Sequence, residues 1–172
     1  MRLAFAGQAR SGKDTAIDYL MTKVDKPIKI HIADGVYSTA RYMLSKLVID
    51  NTDPKIRKLL QEIGSAGRNY SEDFWICKML EDIGMAEYQG YKNIFITGVR
   101  YPNEIAKLRE IGFRVVCIDR GVGQRLSDGA THTGHHSETS INPKNFDAAD
   151  KIINNGTLLD FFGTLNARFQ LE

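Results

Sequence analysis

The chain has 172 residues, of which 42% are hydrophobic and 26% are charged, and its formal net charge is +2. This length suits one domain with a sizeable core, and the composition is that of an ordinary globular protein. So small a charge gives no support to nucleic-acid or membrane-surface binding, and no apolar run approaches the roughly 18 residues of a membrane span.

The chain opens with an apolar run, a glycine-containing stretch and an amphipathic run. Residues 3–6 predict a strand, and Ile17, Leu20, Met21 and Val24 have helical spacing. Between them, residues 7–15 read G-Q-A-R-S-G-K-D-T, which we call the glycine loop. A G-x-x-x-x-G-K loop between strand and helix is typical of phosphate binding, with backbone N–H groups, the helix N-terminus and Lys13 facing the phosphates. Asp14 or Thr15 could supply the hard oxygen ligand that Mg²⁺ needs.

Helical patterns dominate the next stretch of the chain. A second strand is predicted over 28–32, ended by Ala33-Asp34-Gly35, and a helix over about 36–48. The following helix should begin at Asp53 as N-cap and close at Gly64, leaving 65–70 as a loop that carries Arg68. Ser71 should then cap a helix that contains Trp75.

The second half alternates short apolar runs with a helix and an irregular segment. Strands are predicted over 93–97, 113–118 and 151–154, and helices over 103–111 and after Asn155-Gly156-Thr157. Residues 119–145 have no apolar periodicity, as is usual for a functional or disordered segment. The five strands predict a single three-layer α/β domain over 1–172, with a mostly parallel sheet. The glycine loop, Asp34, 98–100 and 119–145 all follow strand ends, so they should converge on one cleft.

Several further side chains could serve phosphoryl transfer, which needs positioned cations. The arginines considered are Arg10, Arg41, Arg68, Arg100, Arg120 and Arg125, although Arg41 could equally be plain surface. Asp34 could be functional or a helix cap, Glu104 could pair with Arg100 or Lys107, and Trp75 could stack on a base or lie in the core. The three histidines at 132, 135 and 136 lack partners that would complete a metal site. Cys77 and Cys117 lie in apolar runs without metal-ligand spacing, so we expect buried free thiols and a cytoplasmic protein.

Six stretches together resemble the bacteriophage-type deoxynucleoside monophosphate kinases, within the P-loop nucleoside monophosphate kinase superfamily. They are S-G-K-D-T at 11–15, A-D at 33–34, L-L-Q-E-I-G at 59–64 with Arg68, V-R-Y-P-N-E at 99–104, H-S-E at 136–138 and I-N-N-G-T-L at 153–158. They run in order along nearly the whole chain. The glycine loop is shared across the superfamily, whereas V-R-Y-P-N-E and N-G-T-L are more specific to this branch.

The resemblance implies ATP-dependent transfer to a deoxynucleoside 5′-monophosphate with Mg²⁺, and a lid within about 119–145. The residues implied at the reaction centre are Lys13, Arg10, Arg100 and Arg120, with Asp14 and Thr15 at the metal. ATP would be held by Gly7, Arg10, Ser11, Gly12, Lys13, Asp14, Thr15, Arg125, Asn155, Gly156 and Thr157. The monophosphate would be held by Asp34, Arg41, Arg68, Trp75, Arg100, Glu104 and Glu138.

The family often has Asp where this chain has Gly98, which shifts the magnesium role toward Asp14, Thr15, Asp34 or Glu104. A metabolite kinase of the same fold, of the dephospho-coenzyme A or phosphomevalonate type, is an alternative in which Asp34 would be the base. A nucleotide-binding module without turnover is a third. The partners expected are small nucleotides, not nucleic acid or membrane, with a homodimer left open and a host cytoplasm if the chain is phage-encoded.

Overall fold

The computed structural model describes residues 1–8, 10–121 and 141–171. Five strands and six α-helices form in this part of the chain. In order they are β1 (Arg2–Ala6), α1 (Lys13–Met21), β2 (Pro27–His31), α2 (Asp34–Leu44), α3 (Pro54–Tyr70), α4 (Phe74–Tyr88), β3 (Asn93–Val99), α5 (Pro102–Glu110), β4 (Arg114–Asp119), β5 (Lys151–Ile153) and α6 (Leu158–Phe169).

The strands form one parallel sheet in the order β2-β3-β1-β4-β5. The first strand is central, and the chain fills one side of it with β2 and β3 before crossing to β4 and β5. Two apolar clusters cover the two faces of the sheet. One contains Ala4, Ile96 and Val115 with Met79 of α4, and the other contains Phe5 and Val116 with Ile17 of α1 and Leu165 of α6. The predicted three-layer α/β fold is therefore confirmed.

Helix α3 corrects the prediction that Gly64 ends a helix and that 65–70 is a loop. The helix begins as predicted, with the Asp53 side chain accepting a hydrogen bond from the Lys55 N–H, but it continues unbroken to Tyr70. Trp75 packs against this part of the helix. A Cβ at position 67 would lie 2.6 Å from its ring, and its Nε1 donates to the Gly64 carbonyl oxygen over 2.9 Å. Gly67 therefore allows the indole to lie against the helix, and neither glycine ends it.

Three smaller predictions are also wrong. Helix α2 ends at Leu44 and not near residue 48, because Ser45 adopts a left-handed conformation. Helix α4 begins at Phe74, so Ser71 is the C-cap of α3 and not the N-cap of α4. Cys77 is exposed, whereas Cys117 is buried as expected.

The end of the irregular segment 119–145 belongs to the core. Asp119 completes β4, and Ile141 and Phe146 are buried in the cluster that contains α4 and α5. Two 3₁₀ turns, Pro143–Asn145 and Ala148–Asp150, lead from there into β5. Within the described residues, none of the helices combines the length and apolar character needed to cross a membrane.

Candidate active site

The glycine loop follows β1 at the carboxyl edge of the sheet, where it turns tightly over the ends of β4 and β5. Gly7 has φ +136°, and a Cβ there would lie 2.5 Å from the Ile118 carbonyl oxygen. Gly12 has φ +101°, and a Cβ there would lie 2.5 Å from Nδ2 of Asn154. Both positions therefore need glycine on grounds of conformation and of space.

Asn154 holds the loop from below, a role that the sequence analysis did not assign. Its buried side chain donates from Nδ2 to the Ser11 carbonyl oxygen over 2.9 Å, and its N–H donates to the Asp119 carbonyl oxygen over 2.8 Å. The predicted motif around 153–158 contained this residue, but only the contact with residue 11, 143 positions away, shows its function.

The Lys13 side chain lies over the glycine loop. Its Nζ donates to the Gln8 carbonyl oxygen over 2.7 Å and lies 3.5 Å from the Ser11 hydroxyl. Arg10, at the tip of the loop, is exposed and adopts φ +58°. Two cations therefore border the loop, in which backbone N–H groups and the start of α1 provide an anion-binding surface.

Asp14 is held by side chains from two neighbouring strands. Its Oδ1 accepts from the Thr97 hydroxyl over 3.2 Å and lies 3.1 Å from Nζ of Lys29. Loss of surrounding water by itself raises the pKa of Asp14, but the hydrogen bond and charge of Lys29, with Lys13 and His31 adding, lower it below its usual value. Asp14 is therefore an anion at neutral pH.

Asp14 also meets the requirements for a Mg²⁺ ligand. Mg²⁺ at a phosphate site takes one or two carboxylates and completes its shell with water and phosphate oxygens. The described residues contain no group of three or more acidic, histidine or cysteine side chains that could form a complete protein cage. Asp14, directly after Lys13 at the start of α1, fits this open kind of site, with Thr15 next to it.

His31, another residue that the sequence analysis missed, ends the edge strand β2 at the carboxyl edge of the sheet. The backbone N–H of His31 donates to Oδ2 of Asp34 over 2.8 Å, and the ring Nδ1 of His31 accepts from the backbone N–H of Ala33 over 2.9 Å. Burial lowers the pKa of His31 below its usual value, while the charges of Asp34 and Asp14 raise it and those of Arg100 and Lys13 lower it further. The ring is therefore neutral at pH 7.

Gly98 leaves room for that imidazole. Strand β3 shifts register against β1 between Ala4, paired with Ile96, and Ala6, paired with Val99. Gly98 lies in this irregularity with φ +78°, and a Cβ there would lie 2.5 Å from Cε1 and 2.6 Å from Nε2 of His31. The space in which a side chain at position 98 would begin is thus occupied by a histidine from the adjacent strand.

Arg100 follows β3, and Glu104 shapes the turn that carries it. Oε2 of Glu104 accepts from the N–H groups of Arg100 and Tyr101, over 2.7 and 3.0 Å. Burial raises the pKa of Glu104, against the opposing effect of those two hydrogen bonds and of the charges of Arg68 and Arg100. Because only 5% of Glu104 is exposed, it supports the Arg100 turn from within, and the substrate contact predicted for it is not supported.

Beyond Arg100 lies a pocket of about 540 Å³ between α3 and the start of α5. The Arg68 guanidinium stacks over the Tyr101 ring, 4.9 Å from its centroid, at one wall. Most of the lining side chains are polar: Ser65, Arg68, Asn69, Glu72, Tyr101, Pro102 and Asn103. The pocket adjoins the Arg100 turn because Tyr101 and Pro102 belong to both.

Two further residues predicted at the monophosphate site, Trp75 and Arg41, lie in different surroundings. Trp75 is 7% exposed and packs against Gly35 and Gly67, so it holds helices together and the base-stacking role is not supported. Arg41 lies exposed in the last turn of α2, and no contact within the described residues joins it to the cleft.

Three predicted positions after β5 and one after β4 share the carboxyl edge of the sheet. The Asn155 Oδ1 accepts from the Gly121 N–H over 2.9 Å, and Thr157 caps α6 in a reciprocal pair with Asp160. Gly156 lies between them, and Arg120 directly follows β4. Arg125, Glu138 and the histidines 132, 135 and 136 lie outside the described residues.

Comparison with known proteins shows a fold but not an activity. No family model matches the chain. Two similar curated proteins, ORF77 and ORF76 of Ictalurid herpesvirus 1 (strain Auburn), are both uncharacterised. ORF77 is 35% identical over 159 residues, which is 92% of this chain, and ORF76 is 28% identical over 162 residues. The chain spans 66% and 63% of their respective lengths.

Among solved structures, an unliganded sugar kinase from Janibacter sp. HTCC2649 matches with a TM-score of 0.54. The match covers 98% of this chain and 94% of that one at 11% sequence identity. An identity this low shows the fold alone. The chain therefore has a kinase-like three-layer fold.

Proposed function

We propose that this protein is an ATP-dependent kinase that phosphorylates a deoxynucleoside 5′-monophosphate. The observation that carries the proposal is the pairing of two sites at one edge of the sheet. The glycine loop with Lys13 is suited to the phosphates of ATP, and the Arg100 turn adjoins a pocket bordered by Arg68. Two cation-bearing sites at the ends of the neighbouring strands β1 and β3 suit a phosphorylated donor and a phosphorylated acceptor.

In the proposed reaction, an oxygen of the acceptor monophosphate attacks the γ-phosphorus of ATP. The bond from that phosphorus to the β-bridging oxygen breaks, which gives a deoxynucleoside diphosphate and ADP. Lys13 and the loop N–H groups would hold the donor, and Arg100 would hold the acceptor phosphate against it. Bound Mg²⁺ would supply positive charge beside the phosphates, and Asp14 would hold it. The acceptor is already an anion, so no general base is needed.

A kinase for an alcohol acceptor is the second candidate. Its support is the exposed Asp34 carboxylate at the start of α2, shortly after β2, together with the sugar kinase as a neighbour in fold. An alcohol must lose a proton during attack, and Asp34 is the carboxylate within the cleft that could accept it. Asp34→Asn separates the two candidates: a large loss of turnover with intact binding favours an alcohol, whereas a modest change favours a monophosphate.

The decisive assay measures ADP release from ATP and Mg²⁺ with a panel of deoxynucleoside monophosphates, ribonucleoside monophosphates, sugars and other alcohols. We expect release with at least one deoxynucleoside monophosphate, and release with alcohols alone would overturn the proposal. Lys13→Ala should reduce turnover by at least about 100-fold, the order expected for losing a phosphate-stabilising cation. Lys13→Arg is the matched control that retains the charge but changes its geometry, and circular dichroism should show that both variants are folded.

A further inference from the structure

His31 ends the edge strand β2 at the carboxyl edge of the sheet, beside the strand that leads to Arg100. It ends β2, next to β3, and its ring occupies the space in which a side chain at position 98 would begin. Lys13 and Asp14 on the donor side and Arg100 and Asp34 on the acceptor side are all close enough to affect its titration. The imidazole is therefore near charged groups from both the donor and the acceptor side of the proposed reaction.

The tautomer of His31 is fixed by its backbone partner. Since Nδ1 accepts from the Ala33 N–H over 2.9 Å, Nδ1 carries no hydrogen. In a neutral imidazole the hydrogen is then on Nε2. No hydrogen bond to Nε2 is formed within the described part of the chain, so this N–H is a donor left for a ligand.

The neighbouring charges give this donor a specific use. Phosphate oxygens accept hydrogen bonds strongly, and an uncharged donor adds one without further positive charge next to Lys13 and Arg100. An Asp at position 98 would instead place a carboxylate here. The combination of Gly98 with His31 thus replaces an acceptor with a donor at the ends of β2 and β3.

We propose that His31 is a phosphate-binding residue whose Nε2–H donates to an oxygen of the phosphate passing between donor and acceptor. The role rests on the proposed kinase function, because it requires a phosphate group between Lys13 and Arg100. It adds a residue that motif comparison does not identify, since histidine at this position acts through the space that Gly98 leaves.

Two substitutions test the roles of the two ring nitrogens of His31 separately. His31→Asn retains a short polar side chain that can accept from the Ala33 N–H but does not reach the position of Nε2. His31→Gln extends an amide N–H to about the position of Nε2. Loss of one hydrogen bond to a charged oxygen should lower kcat about 10- to 100-fold in His31→Asn, with the KM for ATP nearly unchanged. His31→Gln should recover most of that loss.

A direct readout does not depend on turnover. Nitrogen-15 NMR of the imidazole should show an unprotonated Nδ1 and a protonated Nε2 in the free protein, and ADP with inorganic phosphate should shift the Nε2–H resonance. Equal kcat in wild type and His31→Asn, or an Nε2 resonance that ADP and phosphate leave unmoved, would overturn the assignment. Absence of turnover in the wild type with every acceptor would instead overturn the proposed function, and a shift of Nε2 by inorganic phosphate would still support the binding role.

Discussion

Replacing Gly67 by Ala tests whether the approach of Trp75 determines the path of α3. The new Cβ would lie 2.6 Å from Cε2 and Nε1 of Trp75, so the indole or the helix must move. Such overpacking costs about 1–3 kcal/mol. A displaced indole also loses its 2.9 Å hydrogen bond to the Gly64 carbonyl oxygen, a further loss of about 1 kcal/mol. Helix propensity favours Ala by about 1 kcal/mol, which leaves a net destabilisation of about 1–3 kcal/mol.

Gly84 provides the matched control. It also lies inside a helix, but a Cβ there meets no atom within 4 Å. Gly84→Ala should therefore stabilise the protein by about 0.5–1 kcal/mol from propensity alone. Urea denaturation of the two variants should move the midpoint in opposite directions, and Gly67→Ala should lower Tm by about 4–8 °C for a loss of about 2 kcal/mol. Midpoints that rise in both variants would refute the argument that Trp75 requires glycine at position 67.

Further outcomes follow from the pocket and from the cysteines. Arg68→Ala should raise the KM for the acceptor about tenfold or more with the KM for ATP unchanged, because Arg68 borders the pocket and not the glycine loop. Lys58→Ala is the control: this side chain is on the same helix but 78% exposed, so its removal should change neither KM. An equal rise in both KM values for Arg68→Ala would contradict this division. A thiol reagent at pH 8 should label one cysteine of the folded protein rapidly, because Cys77 is exposed while burial raises the pKa of Cys117 to about 12. Cys77→Ser should remove that fast reaction, and two fast thiols in the native wild type would show that Cys117 is accessible.

The sequence predicted the parts of the cleft that local chemistry determines. Strand, glycine loop and helix follow one another within about twenty residues, so the loop could be recognised without knowledge of the rest of the fold. The five-stranded parallel sheet followed from alternation of apolar runs and helical patterns, and the sugar kinase comparison confirms the architecture. The Asp53 cap was also predictable, because its partner is two residues away.

Residues whose roles depend on distant neighbours escaped prediction. Gly64 resembles a helix stop in the sequence, but the helix continues past it to Tyr70, and Trp75 packs against Gly67. His31 resembles an ordinary strand residue, and only the pairing of β2 with β3 brings it against Gly98. Local sequence patterns do not specify which strands are neighbours, so the contact between His31 and Gly98 could be identified only from the structure.

The hydrogen bond from Asn154 to Ser11 sets an order for assembly of the glycine loop. The side chain that holds the loop backbone leaves the ribosome 143 residues after Ser11 itself. A nascent chain that lacks β5 therefore has the complete motif without the support that shapes it. The proposed binding of a nucleotide should therefore appear only after β5 has joined the sheet, and its onset would report completion of folding.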